Sequence, residues 1–305
     1  MNIKKSRADK IFDICNILFM IIILIIMIYP LYFTVIASFS EPSYVARGQV
    51  TFLPRGFSLD AYYNVFRNDR IWRGYANSIF YTIVGTFISL VLTLPAAFVL
   101  SKKELRGKTF ITWYFLFTMF FSGGLIPTFL LVRDIGLLNR PFTLAVLGCF
   151  SVWNLIVTRV YYRSTIPEEL YDAAKIDGCS DFGMFFRIAL PLSGAIIAVM
   201  ALFYGVARWN DFFSALVFVS NRDFFPLQLV LRNILIEGQI ALAAIQVRGG
   251  AELRAEEILA LTRNAYIAQA MKYSLIFIAS APMLIAYPFV QKYFVKGVMI
   301  GSLKG

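Results

Sequence analysis

Four polar or amphipathic residues, Arg208, Trp209, Asn210 and Asp211, stand together inside the apolar stretch 192–220. A charge near the centre of a bilayer costs about 2.5–3.5 kcal/mol on insertion scales, so such residues face protein or water and mark function by default. Arg208 and Asp211 are three apart, which puts them on one helical face and within pairing distance. Two readings stay open from spacing alone: a polar path through the membrane, or a structural ion pair joining two helices. Trp153 and Asn154, in the apolar stretch 142–162, are further candidates for the same lining, although an Asn that bonds a neighbouring helix is the commoner arrangement.

Other chemistry is poorly provided for. The chain has no histidine, which removes the commonest general base and metal ligand. Cys15, Cys149 and Cys179 are odd in number and lack CxxC spacing, so neither a disulfide framework nor a zinc site follows. Gly107-Lys108-Thr109 mimics the end of a phosphate loop, but the first glycine of that motif would fall on Lys102 and no strand precedes it. The sequence thus carries no catalytic set, and nucleotide chemistry is expected outside this chain.

The elements that hold these residues are set by composition. The 305 residues are 59% hydrophobic, 16% aromatic and 15% charged, against about 25% charged in a soluble domain. Lipid is therefore the main solvent. Six stretches reach the ~20 mainly apolar residues that a crossing needs: 14–39, 78–100, 110–132, 142–162, 192–220 and 273–294. Each is expected to be helical, because unpaired peptide groups in hydrocarbon cost several kcal/mol. The fold class is all-α integral membrane protein with six transmembrane helices, and Pro95, Pro127 and Pro288 are expected as kinks within spans.

Lys4, Lys5, Arg7 and Lys10 precede the first stretch. That stretch is too long for a signal-peptide core and lacks an Ala-x-Ala site, so it reads as a retained anchor. Its basic flank is expected to stay in the cytoplasm, and six crossings return the C-terminus to the same side. The total Lys and Arg count divides almost evenly between the two sides, so orientation rests on the N-terminal flank and the 102–108 loop. The layout is a flank at 1–13, a permeation domain at 14–294 and a tail at 295–305. The net charge of +11 sums such flanks; no basic helix has recognition spacing, and nucleic acid is not an expected partner.

Two long connections, 40–77 and 221–272, are expected outside the cell. The first carries Pro42, Pro54 and Gly56, then Ser58 as an N-cap to a short helix with Leu59, Tyr62, Tyr63 and Phe66 at helical spacing. The second opens with Pro226-Leu227-Gln228 and holds two expected helices around Gly249-Gly250. It is too long for a mere turn and reads as a contact surface.

Segment 163–191, between the fourth and fifth stretches, is polar and gapped. Thr165 and Glu168 have capping-box spacing and Pro167 suits a first helical turn. A helix is predicted through Leu170, Ala173, Ala174 and Ile176, ended by Gly178 as a left-handed cap. Ser180 then caps a second short helix through Phe182, Phe185 and Phe186, closed by Pro191. Ala173 and Ala174 would let a partner's backbone approach closely, with Glu168, Glu169, Asp172, Lys175 and Asp177 as polar contacts at the rim.

The order Asp172-Ala173-Ala174, three residues, Gly178, nine residues, Ile188-Ala189-Leu190-Pro191 resembles the cytoplasmic "EAA" loop by which permease subunits of bacterial ABC importers dock onto their ATPase. Asp172 stands where that family usually has Glu. Residues 121–128, Trp209 to Phe213, Pro226 to Leu229 and the ending from Tyr287 onward are similar to the polysaccharide branch, cousins of the second maltose permease subunit. The resemblance implies a type I ABC importer permease fold in the bacterial inner membrane. It implies a heterodimer with a second homologous permease, two ATPase subunits that bind ATP and Mg, and an extracytoplasmic substrate-binding lipoprotein. No cofactor is expected in this chain.

It also implies that Glu168, Glu169, Leu170, Asp172, Ala173, Ala174, Asp177 and Gly178 dock the ATPase. Trp209 would stack on a sugar ring while Asn210 and Asp211 bond its hydroxyls. The expected cargo is an oligosaccharide from a complex polysaccharide, and the many outside arginines permit an acidic one. The alternative is a self-sufficient secondary transporter with Arg208 and Asp211 as an ion relay. Such folds show internal inverted repeats, and the sequence shows none.

Overall fold

The computed structural model describes residues 6–247 and 255–302. Lys4, Lys5, Gly249-Gly250 and the last three residues lie outside the described residues. Apart from one isolated antiparallel bridge, Ser40 to Phe57, the regular structure among the described residues is helical. The chain falls into two compact units, Met1–Asp69 with Leu231–Ser280, and Arg70–Val230 with Ala281–Gly305.

In the first unit, α1 (Arg7–Ser38) begins at a capping box in which Ser6 and Asp9 each accept the other's backbone N–H. Its apolar side chains from Ile11 to Leu31 are largely exposed, and it buries only its end, Ile36, Ala37 and Ser38. That end packs with Val45, Val50, Tyr44 and Tyr273. Then come α2 (Pro42–Ala46) and α3 (Asp60–Arg67). The N-cap position of α3 is Leu59 rather than Ser58, although the Ser58 hydroxyl still accepts the Asp60 N–H at 3.1 Å. α3 buries Ala61 and Val65, while Leu59, Tyr63 and Phe66 are exposed.

The second unit opens with α4 (Asp69–Ser101), a continuous helix with Pro95 inside. It is followed by α5 (Lys108–Phe120) and α6 (Leu125–Asp134), which meet at a bend of 110°. The expected span 110–132 is therefore broken at Phe121-Ser122-Gly123-Gly124, and Pro127 lies in the first turn of α6 instead of kinking a continuous helix. The expected span 142–162 is likewise two helices, α7 (Pro141–Val146) and α8 (Val152–Thr165), with the Ser151 hydroxyl capping the second.

Beyond α9 (Glu168–Ile176), the pieces α10 (Asp181–Gly183), a π-helical turn (Met184–Ala189) and α11 (Leu190–Leu192) form one run, bent by 81° from α12 (Gly194–Trp209). Pro191 sits inside that run and the bend follows it. α12 ends at Trp209 and α13 (Phe213–Phe218) follows after a break, so stretch 192–220 is not a single helix either. A 3-10 turn (Arg222–Phe224), α14 (Leu227–Val247) and the beginning of α15 (Ala255–Ser302) occupy segment 221–272.

Three helices among the described residues are long and apolar enough to cross a bilayer, and five if each bent pair counts as one. Among the described residues, the apolar stretches 110–132, 142–162 and 192–220 are each interrupted. Hydropathy reports which residues tolerate lipid, whereas irregular backbone at membrane depth is allowed wherever protein supplies its hydrogen bonds.

Because lipid tails are as apolar as Leu, packing and polar bonds, more than transfer from water, hold such helices together. The main packed centre of the second unit is Phe98 of α4, whose ring lies 5.9 Å from Tyr162, 5.8 Å from Tyr171 and 5.3 Å from Phe185. Leu155, Met184 and Ala189 complete it. This cluster ties α9 and the π-helical turn to the end of α4.

Candidate functional site

Segment 163–191 is a helix, a glycine turn and a second helix, built locally. Thr165 is the last residue of α8, so the capping box does not form; Pro167 occupies the N-cap of α9 with no side-chain cap. The physical reason lies at Ile166, which precedes a proline and is pushed to extended backbone. Glu168 and Glu169 instead favour the first turn through the helix dipole.

At the other end Gly178 has φ +74°. The Cys179 N–H reaches the Ala174 carbonyl at 2.8 Å and the Gly178 N–H the Lys175 carbonyl at 3.0 Å, the two bonds of a Schellman cap. Ser180 then accepts the Gly183 N–H at 3.2 Å.

Glu168, Tyr171 and Lys175 follow i, i+3, i+7 spacing and form one face of α9. That face meets three consecutive residues just past α4. Lys103 pairs with Glu168, and Lys175 pairs with Glu104. The Lys102 ammonium lies 3.2 Å from the centre of the Tyr171 ring and 4.6 Å from that of Phe98, and among the described residues it has no hydrogen-bond partner. A desolvated cation on a ring contributes about 0.5–2 kcal/mol.

Burial lowers the Lys102 pKa, against the pull of Glu104, Asp172 and Asp181. Burial pushes the Tyr171 hydroxyl up to about 12. The hydrogen bond from Lys175 holds Glu104 below its ordinary value, and the same bond raises Lys175. A cavity of about 420 Å³ opens here, lined by Lys102, Lys103, Glu104, Tyr162, Glu169 and Asp172 among others.

Within the expected docking set, Glu168 pairs with Lys103 and Lys175 with Glu104 of their own chain while both remain exposed. Ala174 is 7% exposed and packs in the core, so of the alanine pair only Ala173 remains outward. Glu169, Leu170, Asp172, Ala173, Asp177 and Gly178 are exposed. Two apolar residues that sequence reasoning used only as helix formers stand out instead: Ile176 is 87% and Phe182 79% exposed. Their signal was present as large apolar side chains in an otherwise polar loop.

The transmembrane cluster also rearranges. Arg208 does not pair with Asp211. Its guanidinium donates to the carbonyls of Leu144, at 2.8 Å, and Leu147, while the Asp211 carboxylate accepts the Ser214 N–H at 3.0 Å. One turn earlier on the same face, the Tyr204 hydroxyl accepts the Ser151 N–H at 3.3 Å and bonds Thr93 at 2.7 Å. α12 thus satisfies the backbone on both sides of the α7–α8 break. Gly85 makes room for this, since a Cβ there would lie 3.0 Å from Arg208 Nε and 3.1 Å from the Ala145 carbonyl.

Trp209 is buried edge-on to Tyr75 at 5.6 Å. Asn210 is exposed and donates to the Val206 carbonyl at 3.0 Å. Asn154 is buried and Trp153 is 62% exposed. The structure therefore joins Arg208 to the α7 end and Trp209 to α4, and does not gather all six candidates around one spot.

Pro226-Leu227-Gln228 is fastened to α4: the Ser78 hydroxyl accepts the Leu227 N–H at 2.8 Å, Asn77 donates to the Asp223 and Phe225 carbonyls, and Arg73 pairs with Asp223.

Residues 71–300 match the family described as binding-protein-dependent transport system inner membrane component. Protein LplC of Bacillus subtilis (strain 168) is 39% identical over 98% of this chain and 97% of its own length. The polygalacturonan/rhamnogalacturonan transport system permease protein YtcP of the same organism is 35% identical over 97% of this chain and 99% of its own length. A crystal structure of a bacterial ABC transporter involved in the import of the acidic polysaccharide alginate contains a chain of similar fold, with a TM-score of 0.83 and 32% identity, covering 96% of this chain and 100% of that one. The chain therefore belongs to the binding-protein-dependent transport system inner membrane component family, as a membrane-embedded permease of an ABC importer.

Proposed function

We propose that this chain is one half of a heterodimeric permease that imports oligosaccharides derived from acidic polysaccharides, powered by ATP hydrolysed in two separate subunits. The observation that carries the motor assignment is the outward surface of α9 and α10. Ile176 and Phe182 are exposed there beside Glu169, Asp172, Ala173 and Asp177, and the opposite face of α9 packs against its own chain. Two large apolar side chains presented to water by a polar loop have the composition of an interface centre with a charged rim. The acidic cargo is supported by two relatives, one named for polygalacturonan and rhamnogalacturonan and one that imports alginate.

In this reading ATP and Mg bind the ATPase subunits, a lipoprotein delivers the sugar from outside, and the backbone crosses six times with both termini in the cytoplasm. Segments 40–77 and 221–272 then face outward. Asn210 and Asp211, where the chain unwinds after α12, together with the exposed Trp153, are assigned to the sugar path; Trp209, packed against Tyr75, and Arg208 are scaffolding.

Co-purification followed by an ATPase assay tests the whole. We expect an ATPase and a second permease to accompany this chain, and oligogalacturonate or oligoalginate with the binding protein to stimulate hydrolysis. Uptake that survives loss of the ATPase would establish the secondary transporter instead, and stimulation by neutral oligosaccharides alone would overturn the acidic assignment. Within that complex, Ile176→Asp with Phe182→Asp is expected to abolish ATPase capture while membrane level stays normal, since interface centres concentrate about 2 kcal/mol or more per anchoring side chain. Undiminished capture by the double variant would remove this surface from the interface.

A further inference from the structure

Glu168, Tyr171 and Lys175, all on the docking helix, are each engaged by one of three successive residues of the α4–α5 connection: Lys103, Lys102 and Glu104. We propose that residues 102–104 form a crossbar that makes α4 and the docking helix move as one body, with Lys102 as its central positioning residue. The inference rests on the motor reading above and extends it by naming the part of this chain through which force passes into the membrane.

The three contacts differ in kind. Both ion pairs are exposed, with side chains about half accessible to water; isolated surface pairs contribute little. Lys102 is the exception. Its ammonium lies over the rings of both Tyr171 and Phe98 and has no hydrogen-bond partner among the described residues, so moving α9 away from α4 would give up the cation–ring contact with Tyr171. Phe98 belongs to α4 and Tyr171 to α9, and their rings also touch each other. A single cation therefore bridges the two helices, and the outer pairs fix the rotation of α9 about it.

Aromatic packing alone would hold the helices together but would tolerate sliding. A cation centred on one ring, flanked by two pairs of reversed polarity, favours the observed register. Lys103 is basic toward Glu168, while Glu104 is acidic toward Lys175, so exchanging the two outer partners would bring like charges together.

The test uses the complete importer in proteoliposomes and reads sugar transported per ATP hydrolysed. Lys102→Met keeps the stem and deletes the cation. We expect it to assemble with the ATPase and to hydrolyse ATP at a normal basal rate, yet to transport about fivefold less sugar per ATP, the lower end of coupling between linked sites. Lys102→Arg, which keeps a cation on the rings, should restore most of the ratio. As a second arm, Lys175→Glu should lower the ratio and Glu104→Lys in the same chain should restore it.

An unchanged transport-to-ATP ratio in an assembled Lys102→Met complex would overturn the crossbar. So would a ratio that Lys102→Arg fails to raise, or a Lys175→Glu defect that Glu104→Lys does not relieve. Failure of the motor reading looks different, because no ATPase would then accompany even the unaltered chain.

Discussion

Replacing Gly178 with valine is expected to reduce uptake about five- to thirtyfold while the chain reaches the membrane at its usual level. Gly178 sits at φ +74° and closes the Schellman cap of α9. A side chain in left-handed backbone costs roughly 1–2 kcal/mol, and about 1.4 kcal/mol is a factor of ten. Nothing lies within 4 Å of a Cβ built there, so the cost comes from backbone strain and not from a clash within the chain. Relief of that strain would rotate the turn and carry Phe182 with it. Gly178→Asn separates two causes, because Asn tolerates left-handed backbone better than most residues. Near-normal uptake by Gly178→Asn assigns the effect to turn geometry, and loss by Asn as well as Val assigns it to close approach of the partner. Wild-type uptake by Gly178→Val would remove the turn from the docking mechanism.

Arg208→Met is expected to have the largest effect on stability. It deletes two charge-assisted hydrogen bonds to the carbonyls of Leu144 and Leu147, and bonds to charged groups contribute about 1.5–3 kcal/mol each. A loss of about 3 kcal/mol corresponds to a fall in the apparent Tm of roughly 6–12 °C, at about 2–4 °C per kcal/mol for a domain of 150–250 residues. Asp211→Asn should scarcely change it, because the carboxylate's bond is to the Ser214 N–H and an amide oxygen can accept the same proton. Thermal unfolding of both variants in detergent settles the matter. Equal losses would restore the ion pair between Arg208 and Asp211 that their spacing suggests.

That contrast marks the limit of what the sequence makes legible. Local features read well: the helix through Leu170 and Ile176, its end at Gly178 and the Ser180 cap follow from a few neighbouring residues and recur in the structure. Thr165 read badly because two local signals competed; its capping-box spacing to Glu168 was real, but Pro167 forced the chain open at Ile166 and α8 kept Thr165. The crossbar was invisible for a different reason. Lys103 and Glu168 are 65 residues apart, Lys175 and Glu104 71, and a charged loop gives no clue to its partner at that separation.

Arg208 deceived because its partners are backbone carbonyls, which every residue carries. The breaks in the expected spans at 121–124 and 147–151 left apolar composition intact, so hydropathy passed over them. What the sequence did display, without its use being obvious, was Gly85, a residue with no side chain opposite the partly buried Arg208 that needs the space.

The Tyr204 and Arg208 contacts have a consequence for how spans travel. The first grips the start of α8 and the second the end of α7, so α12 is stitched across an interrupted crossing at two levels, one helical turn apart. Displacing α12 lengthwise would tear both stitches at once, whereas tilting the three pieces together costs neither. The three pieces would swing together as a panel.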